Sequence, residues 1–424
     1  MLNLNLNVLR RIINGLLSFE MCFTLFLFAG SYKANPKLAW FPIDFTLFFF
    51  GLSILSGLYI FIWKEKLKVN VKDLKFILLF SVFAGYVLLT LLWTPGTIYA
   101  HEKVFFVCTI LSWTIAATTI IISSTLERLK RFLFLCVLFG TWMSVEGIFV
   151  NVNKGEFTNV LGGNYIEFSR VLGLAAIIVT YILLFLKKKK VPKLFLAFLL
   201  LFMLFNILNA GARGPLLAFI FSLFPILFYG CFIRNRTFKL HISVIYVAAA
   251  SFIGMLYIGF LYFTNNLPTA LLRIMVIFQE QGMGASAATR LEYYNQSLLY
   301  WKENLLFGNG IGSWPLLHDG MDIKNYPHNI MLELGSELGL IGIILFLFLH
   351  VYIIRDLHAA NKTFSFFSLM LTSILIFYFI NSLISGDINE NRYYFAFLGV
   401  STFVMTNFKQ KVIVENQNNL REFQ

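Results

Sequence analysis

The chain alternates long apolar runs with short polar breaks. A membrane-crossing helix needs roughly twenty mostly apolar residues. Such runs lie near 12–30, 41–63, 74–93, 104–124, 131–151, 168–186, 193–210, 214–233, 241–264, 338–354, 364–384 and 394–408. The pattern predicts an all-α, polytopic membrane protein of about twelve transmembrane helices. The breaks divide the chain into 1–264 with nine spans, 265–337 as one long helical loop, 338–408 with three more spans, and a tail, 409–424. The first run follows Arg10-Arg11 as a secretion signal would, but Glu20 interrupts it and no small-residue cleavage site is evident. It reads as an uncleaved first span.

Composition excludes a water-soluble domain. Hydrophobic residues make up 58% of the chain and charged residues only 13%, about half the charge of an ordinary soluble domain. The net charge of +13 does not point to nucleic acid, because Lys and Arg cluster in the breaks as topology signals do. With the N-terminus cytoplasmic, the inward-facing segments hold 23 of the 34 Lys and Arg, so both termini are expected in the cytoplasm. Cys22, Cys108, Cys136 and Cys231 lie in apolar runs without metal or disulfide spacing, as packing residues do.

The outward breaks are short except Asn265–Glu337, and a long structured loop in a tight protein is where function usually sits. Leu267–Glu280 suits a helix at the membrane interface, and Gln281–Ser286 a flexible break. A second helix is expected over about 287–306, with Leu291, Tyr294, Leu298, Trp301 and Leu305 as its apolar seam. Gly308, Gly310 and Gly312 then mark a sharp turn. Pro327 suits the first turn of a further helix, which puts His328 at a helix N-terminus. Exposed N–H groups there favour an anion. Between spans seven and eight, Asn209–Pro215 places Arg213 on a very short outer turn. A charge at membrane depth either snorkels or faces an anionic partner. Arg290 suits an ion pair with Glu292, Glu333 or Glu337, or a phosphate, and His328 suits a capping role or proton transfer. Two guanidinium groups and a helix N-terminus on one side of the membrane could together hold a diphosphate.

The stretches Ala288–Trp314 (ATRLEYYNQSLLYWKENLLFGNGIGSW) and His328–Phe348 (HNIMLELGSELGLIGIILFLF) resemble the O-antigen ligase/polymerase family. Gly211–Phe219 (GARGPLLAF) is similar to the family's Arg-Gly turn, with Ala212 where members often carry Ser or Thr. The resemblance implies an all-helical glycosyltransferase of the bacterial inner membrane that needs no metal or other cofactor. Such an enzyme moves an oligosaccharide from undecaprenyl diphosphate to a periplasmic acceptor, either lipid A-core or a growing glycan. It implies that Arg213 and Arg290 neutralise the leaving diphosphate and that His328 activates or orients the acceptor hydroxyl. Lys103 takes the place of a basic residue near the outer end of span four, and Asn164, Arg170 and Asn329 are further expected substrate contacts.

Fixed cations suit a diphosphate leaving group, and no DxD motif is present for a metal-dependent route. Asp319/Asp322 and Asp387/Glu390 read as solvated pairs. Ligase and polymerase both remain open, with ligase preferred. A polysaccharide or lipid-linked-oligosaccharide transporter would show paired half-sequences and charges along several spans. No such repeat is visible, and only Glu20 and Glu146 look intramembrane.

Overall fold

The computed structural model describes residues 18–64, 69–150, 156–185, 192–234, 237–275, 285–362 and 365–404. Among them, nine helices are long and apolar enough to cross a membrane. These are Phe45–Ile62, Val71–Leu92, Ile98–Ser124, Leu126–Ile148, Tyr165–Phe185, Lys193–Ala210, Arg213–Gly230, Ile242–Phe263 and Ile330–Asn361. Shorter helices, Phe19–Ser31, Phe366–Ser382 and Arg392–Val400, stand where spans one, eleven and twelve are expected. The start of the first expected span, the end of the last, and the tail 409–424 lie outside the described residues. The chain is therefore a multi-pass helical membrane protein.

Short polar residues between the apolar runs set where helices begin. The Ser18 hydroxyl accepts from Met21 N at 3.3 Å. Asp44 Oδ1 accepts from Thr46 N at 2.7 Å, and Thr125 Oγ1 from Arg128 N at 3.3 Å. Asn70 and Asp73 form a reciprocal capping box ahead of Val71. Each satisfies amides that the first helical turn leaves open. The Ile242–Phe263 helix buries only Ser243, Val244 and Val247. An apolar helix so exposed is what a bilayer solvates.

The chain falls into two compact units: residues up to 68 with 124–216 and 268–271, and residues 69–123 with 217–267 and 272 onward. The first is centred on Tyr165–Phe185, whose residues Phe168 to Tyr181 are all buried. Phe28 and Phe139 stack beside it at 4.6 Å. Glu20 is buried, as its apolar context implied, and its carboxylate meets Arg128 Nη1 at 2.9 Å. Glu146 instead lies in the last turns of Leu126–Ile148, half-exposed, accepting from Trp142 Nε1 at 3.2 Å. In the second unit Phe80, Phe83, Phe346 and Phe395 pack at the centre. The buried His350, a polar intramembrane group beyond the two expected, bonds the Phe346 carbonyl at 2.6 Å and also the Tyr394 hydroxyl.

The fold is all-helical, as expected, and some element ends differ. Span eight stops at Gly230, and Cys231–Arg234 and Thr237–Leu240 form a short antiparallel hairpin where it was extended to 233. Span ten is the helix Gly339–Asn361, next to its expected start at 338, and a short helical stretch, Ile330–Leu338, precedes it. That stretch carries a π-helical turn at Leu334–Leu338. The loop's first helix is Thr269–Met275; the rest of the expected interfacial helix and most of the flexible break lie outside the described residues.

Candidate functional site

The loop helix Ala285–Glu303 turns Tyr293, Ser297 and Tyr300 inward. Leu291, Leu298 and Leu305 of the expected seam are instead 47%, 40% and 53% exposed. The inward face is decided by polar partners. Trp314 is fully buried and its indole N–H donates to Ser297 Oγ at 2.8 Å, while Tyr300 O–H donates to the Leu317 carbonyl at 3.0 Å. The Tyr293 ring packs against Trp314 at 4.9 Å and His318 at 4.8 Å. An apolar period alone does not distinguish a face that meets protein from one that meets lipid.

The glycine turn is laced to the π-helical turn before span ten. Asn309 N donates to Ser336 O at 2.9 Å and Gly310 N to Glu337 O at 2.8 Å. Tyr86 O–H donates to Leu338 O at 2.9 Å. A π turn shifts carbonyls off the regular ladder, and here three successive carbonyls accept from outside the helix. Gly308 has φ 69°, and a Cβ on it would stand 2.5 Å from the Glu337 carbonyl. Gly312 has φ 68°, and its Cβ would meet the Ala100 backbone at 2.7 Å. Both positions require glycine on conformation and on space.

His328 stands immediately before the helix, with φ 58°. Asn329 is the N-cap, its Oδ1 accepting from Met331 N at 3.0 Å and Leu332 N at 3.2 Å. Two of the amides expected to receive an anion are thus already taken. Pro327 precedes the cap rather than lying in the first turn. The His328 ring lies parallel to Tyr293, with centroids 6.3 Å apart and 2° between planes, and Tyr326 meets it edge-on at 4.6 Å. Tyr326 is held by Glu390 Oε2 at 2.9 Å, and Lys324 pairs with the same carboxylate at 2.7 Å.

Arg290 is half-exposed on the Ala285–Glu303 helix, beside Tyr294. Burial raises the Tyr294 phenol, while the Arg290 charge and a hydrogen bond with Asn329 oppose that rise. Tyr294 therefore adjoins both Arg290 and the cap that follows His328.

Lys103, expected to contact substrate, is fully buried. Its ammonium lies 2.5 Å from Glu333 Oε1 and 2.7 Å from Glu337 Oε2. Glu337 Oε2 also accepts from Gly312 N at 2.9 Å, and Glu333 Oε2 from Ile388 N at 3.0 Å. Asp387 is buried beside them, its Oδ2 accepting from Tyr99 O–H at 2.8 Å. Burial and the Glu390 charge push the Asp387 carboxyl up, against Lys103 and Lys324.

The acidic pairs that read as solvated are engaged. Besides Asp387 and Glu390, Asp319 accepts from Asn325 Nδ2 at 2.8 Å. Asp322 accepts from the amides of Thr97, Ile98 and Tyr99 at 2.8, 2.7 and 3.1 Å and from the Thr97 hydroxyl at 2.6 Å. These bonds, the Thr97 hydroxyl first, hold its carboxyl below the ordinary value. A carboxylate at the start of the Ile98–Ser124 helix also complements the helix dipole.

The structure brings Arg290, His328, Asn329 and Lys103 into the second unit. Arg213, Arg170 and Asn164 belong to the first. Arg213 opens its helix three residues after Ala210, past Gly211 at φ 85°. Arg170 is buried, while Asn164 is exposed and caps its helix, Oδ1 accepting from Glu167 N at 2.8 Å. Sequence reasoning missed Tyr293, His318, Trp314 and Tyr326 around His328, and the carboxylates around Lys103. Glu333 and Glu337 four apart in an apolar helix were the available signal of a buried cation. Among the described residues no group of three or more His, Cys, Asp and Glu is disposed to hold a metal ion.

The fold and this polar, cation-bearing loop define a multi-pass membrane protein with a chemically equipped loop region. Residues 198–347 match the family model described as O-antigen ligase. No curated protein matches the chain. The matched segment holds Arg213, Arg290, His328 and Asn329, whereas Lys103, Asn164 and Arg170 lie outside it.

Proposed function

We propose that the protein transfers a finished glycan from undecaprenyl diphosphate to an acceptor on the periplasmic face of the inner membrane, with lipid A-core as the acceptor. In this reading it is an O-antigen ligase with both termini cytoplasmic. The observation that carries the reading is the grouping of Arg290 and the His328–Asn329 helix start around Tyr294, within the matched segment.

The chemistry follows from charge. As the bond from the sugar's anomeric carbon to the diphosphate breaks, negative charge grows on the leaving oxygens. A fixed guanidinium stabilises it through paired hydrogen bonds. The acceptor oxygen forms the new bond to that carbon, and its proton passes to the His328 imidazole. Arg213 is proposed for the same anion chemistry, as a guanidinium at the first residue of an apolar helix. Asn329 fixes the helix start by capping it. Asn164 and Arg170 are retained as proposed substrate contacts, with the capping and burial described above as their present surroundings.

The test is a gel profile of lipopolysaccharide and carrier-linked glycan from a host lacking the gene, beside strains complemented with parent and His328→Ala. Long glycan absent from lipid A but persisting on the carrier is the expected result. Lipid A bearing a single repeat unit would make the protein a polymerase. Normal pools in the null strain would overturn the reading.

A further inference from the structure

We propose that Lys103 is a positioning residue: clamped between Glu333 and Glu337, it sets the helix start that carries Asn329 and His328, and it does not touch the donor. This rests on the glycan-transfer reading. Four segments converge on the clamp. The Ile98–Ser124 helix supplies the ammonium, the stretch Ile330–Leu338 supplies both carboxylates, and the backbone amides of Gly312 and Ile388 donate to those same carboxylates.

The link to His328 is short. Glu333 lies one turn beyond the cap, and its amide donates to the Asn329 carbonyl at 2.9 Å. Moving Glu333 therefore moves Asn329, and His328 is the next residue along the backbone. Charge makes the clamp necessary, because Glu333, Glu337 and Asp387 are all buried around the one ammonium. Removing one partner of a buried pair leaves the other charge uncompensated. Full burial also excludes a phosphate contact in this arrangement.

A lysine that binds phosphate tolerates arginine far better than one packed on all sides, where the larger planar head has no room. The experiment uses the full-length protein in lipid nanodiscs, with an undecaprenyl-diphosphate-linked oligosaccharide as donor and rates normalised to folded protein. Lys103→Arg is expected to lower kcat about 100-fold, with KM for the donor within about twofold of parent. Lys103→Met with Glu337→Gln, which removes an ammonium and a carboxylate together, is expected to fold and to exceed Lys103→Met by about tenfold in kcat. A Lys103→Arg protein with parental kcat overturns the proposal. So does a double variant that fails to fold, or one whose donor KM rises about tenfold while kcat holds. A parent without transfer overturns the glycan-transfer reading itself; a parent with transfer and any of the preceding results overturns only the assignment of Lys103.

Discussion

The imidazole of His328 and the phenol ring of Tyr293 lie parallel, 2° apart in plane and 6.3 Å between centroids, although 34 positions separate them in sequence. One belongs to a loop helix and the other to the turn before span ten. Tyr293 is itself braced by Trp314 and His318, so the histidine ring meets a ring from outside its own segment as well as Tyr326 within it.

His328→Gln keeps a polar group of similar reach but cannot carry the proton. Transfer by this variant is expected to fall about 100- to 10,000-fold, the range for losing a general base. Single-turnover transfer with purified donor measures it, and an unchanged rate would refute the proton-carrying role.

Tyr293→Leu removes the parallel ring and leaves a smaller apolar side chain. A fall of about tenfold to 100-fold in kcat with donor KM unchanged is expected from a misoriented base. Tyr293→Phe retains the ring and is expected to stay within about threefold of parent. Comparing the two in one assay separates the ring from the hydroxyl.

Arg290→Ala removes the guanidinium beside Tyr294. Donor affinity is expected to weaken by about 1.5–3 kcal/mol, the range for a hydrogen bond to a charged group, or roughly tenfold to 100-fold. Titration of the variant with lipid-linked donor reads this directly; parental affinity would remove Arg290 from the phosphate site.

Asp322 carries a pH dependence. Its carboxyl is held below its ordinary value in the fold, so its contribution to stability is present above the unfolded-state pKa, near 3.9, and is lost as pH falls through the lower folded value. Asp322→Asn is expected to cost about 1 kcal/mol or less at neutral pH, given its solvent access. Thermal unfolding in detergent should show the gap between parent and variant close as the pH is taken below that range.

Much of the architecture was legible because the bilayer leaves few solutions. Apolar runs had to be helices, although Asp44, Asn70 and Thr125 cap them a few residues away from the expected starts at 41, 74 and 131. The Gly308–Gly312 turn and the placement of His328 next to a helix start were legible for the same local reasons. Partners distant in sequence were not. Lys103 read as a free outer cation because nothing near it in the chain announces Glu333, Glu337 and Asp387. Of the expected seam, Tyr294 and Trp301 pack inward, by Leu383 and Gly335, while Leu291, Leu298 and Leu305 are exposed, and Ser297 and Tyr300 complete the inward face. The acidic pairs looked solvated because Thr97–Tyr99 and Tyr326, which bind Asp322 and Glu390, are unremarkable as sequence.

The π turn at Leu334–Leu338 has a mechanical consequence. It lies between the helix start that follows His328 and the long apolar stretch of span ten. It ends at Gly339, whose φ of 65° breaks the helix, and the amides of Leu340 and Ile341 donate to the Leu305 and Leu306 carbonyls instead. The direction of Ile330–Leu338 is thereby set separately from that of Gly339–Asn361. The break thus lets the short stretch that follows His328 meet the loop while the long helix meets the core, at angles that an unbroken 3.6-residue period could not satisfy together.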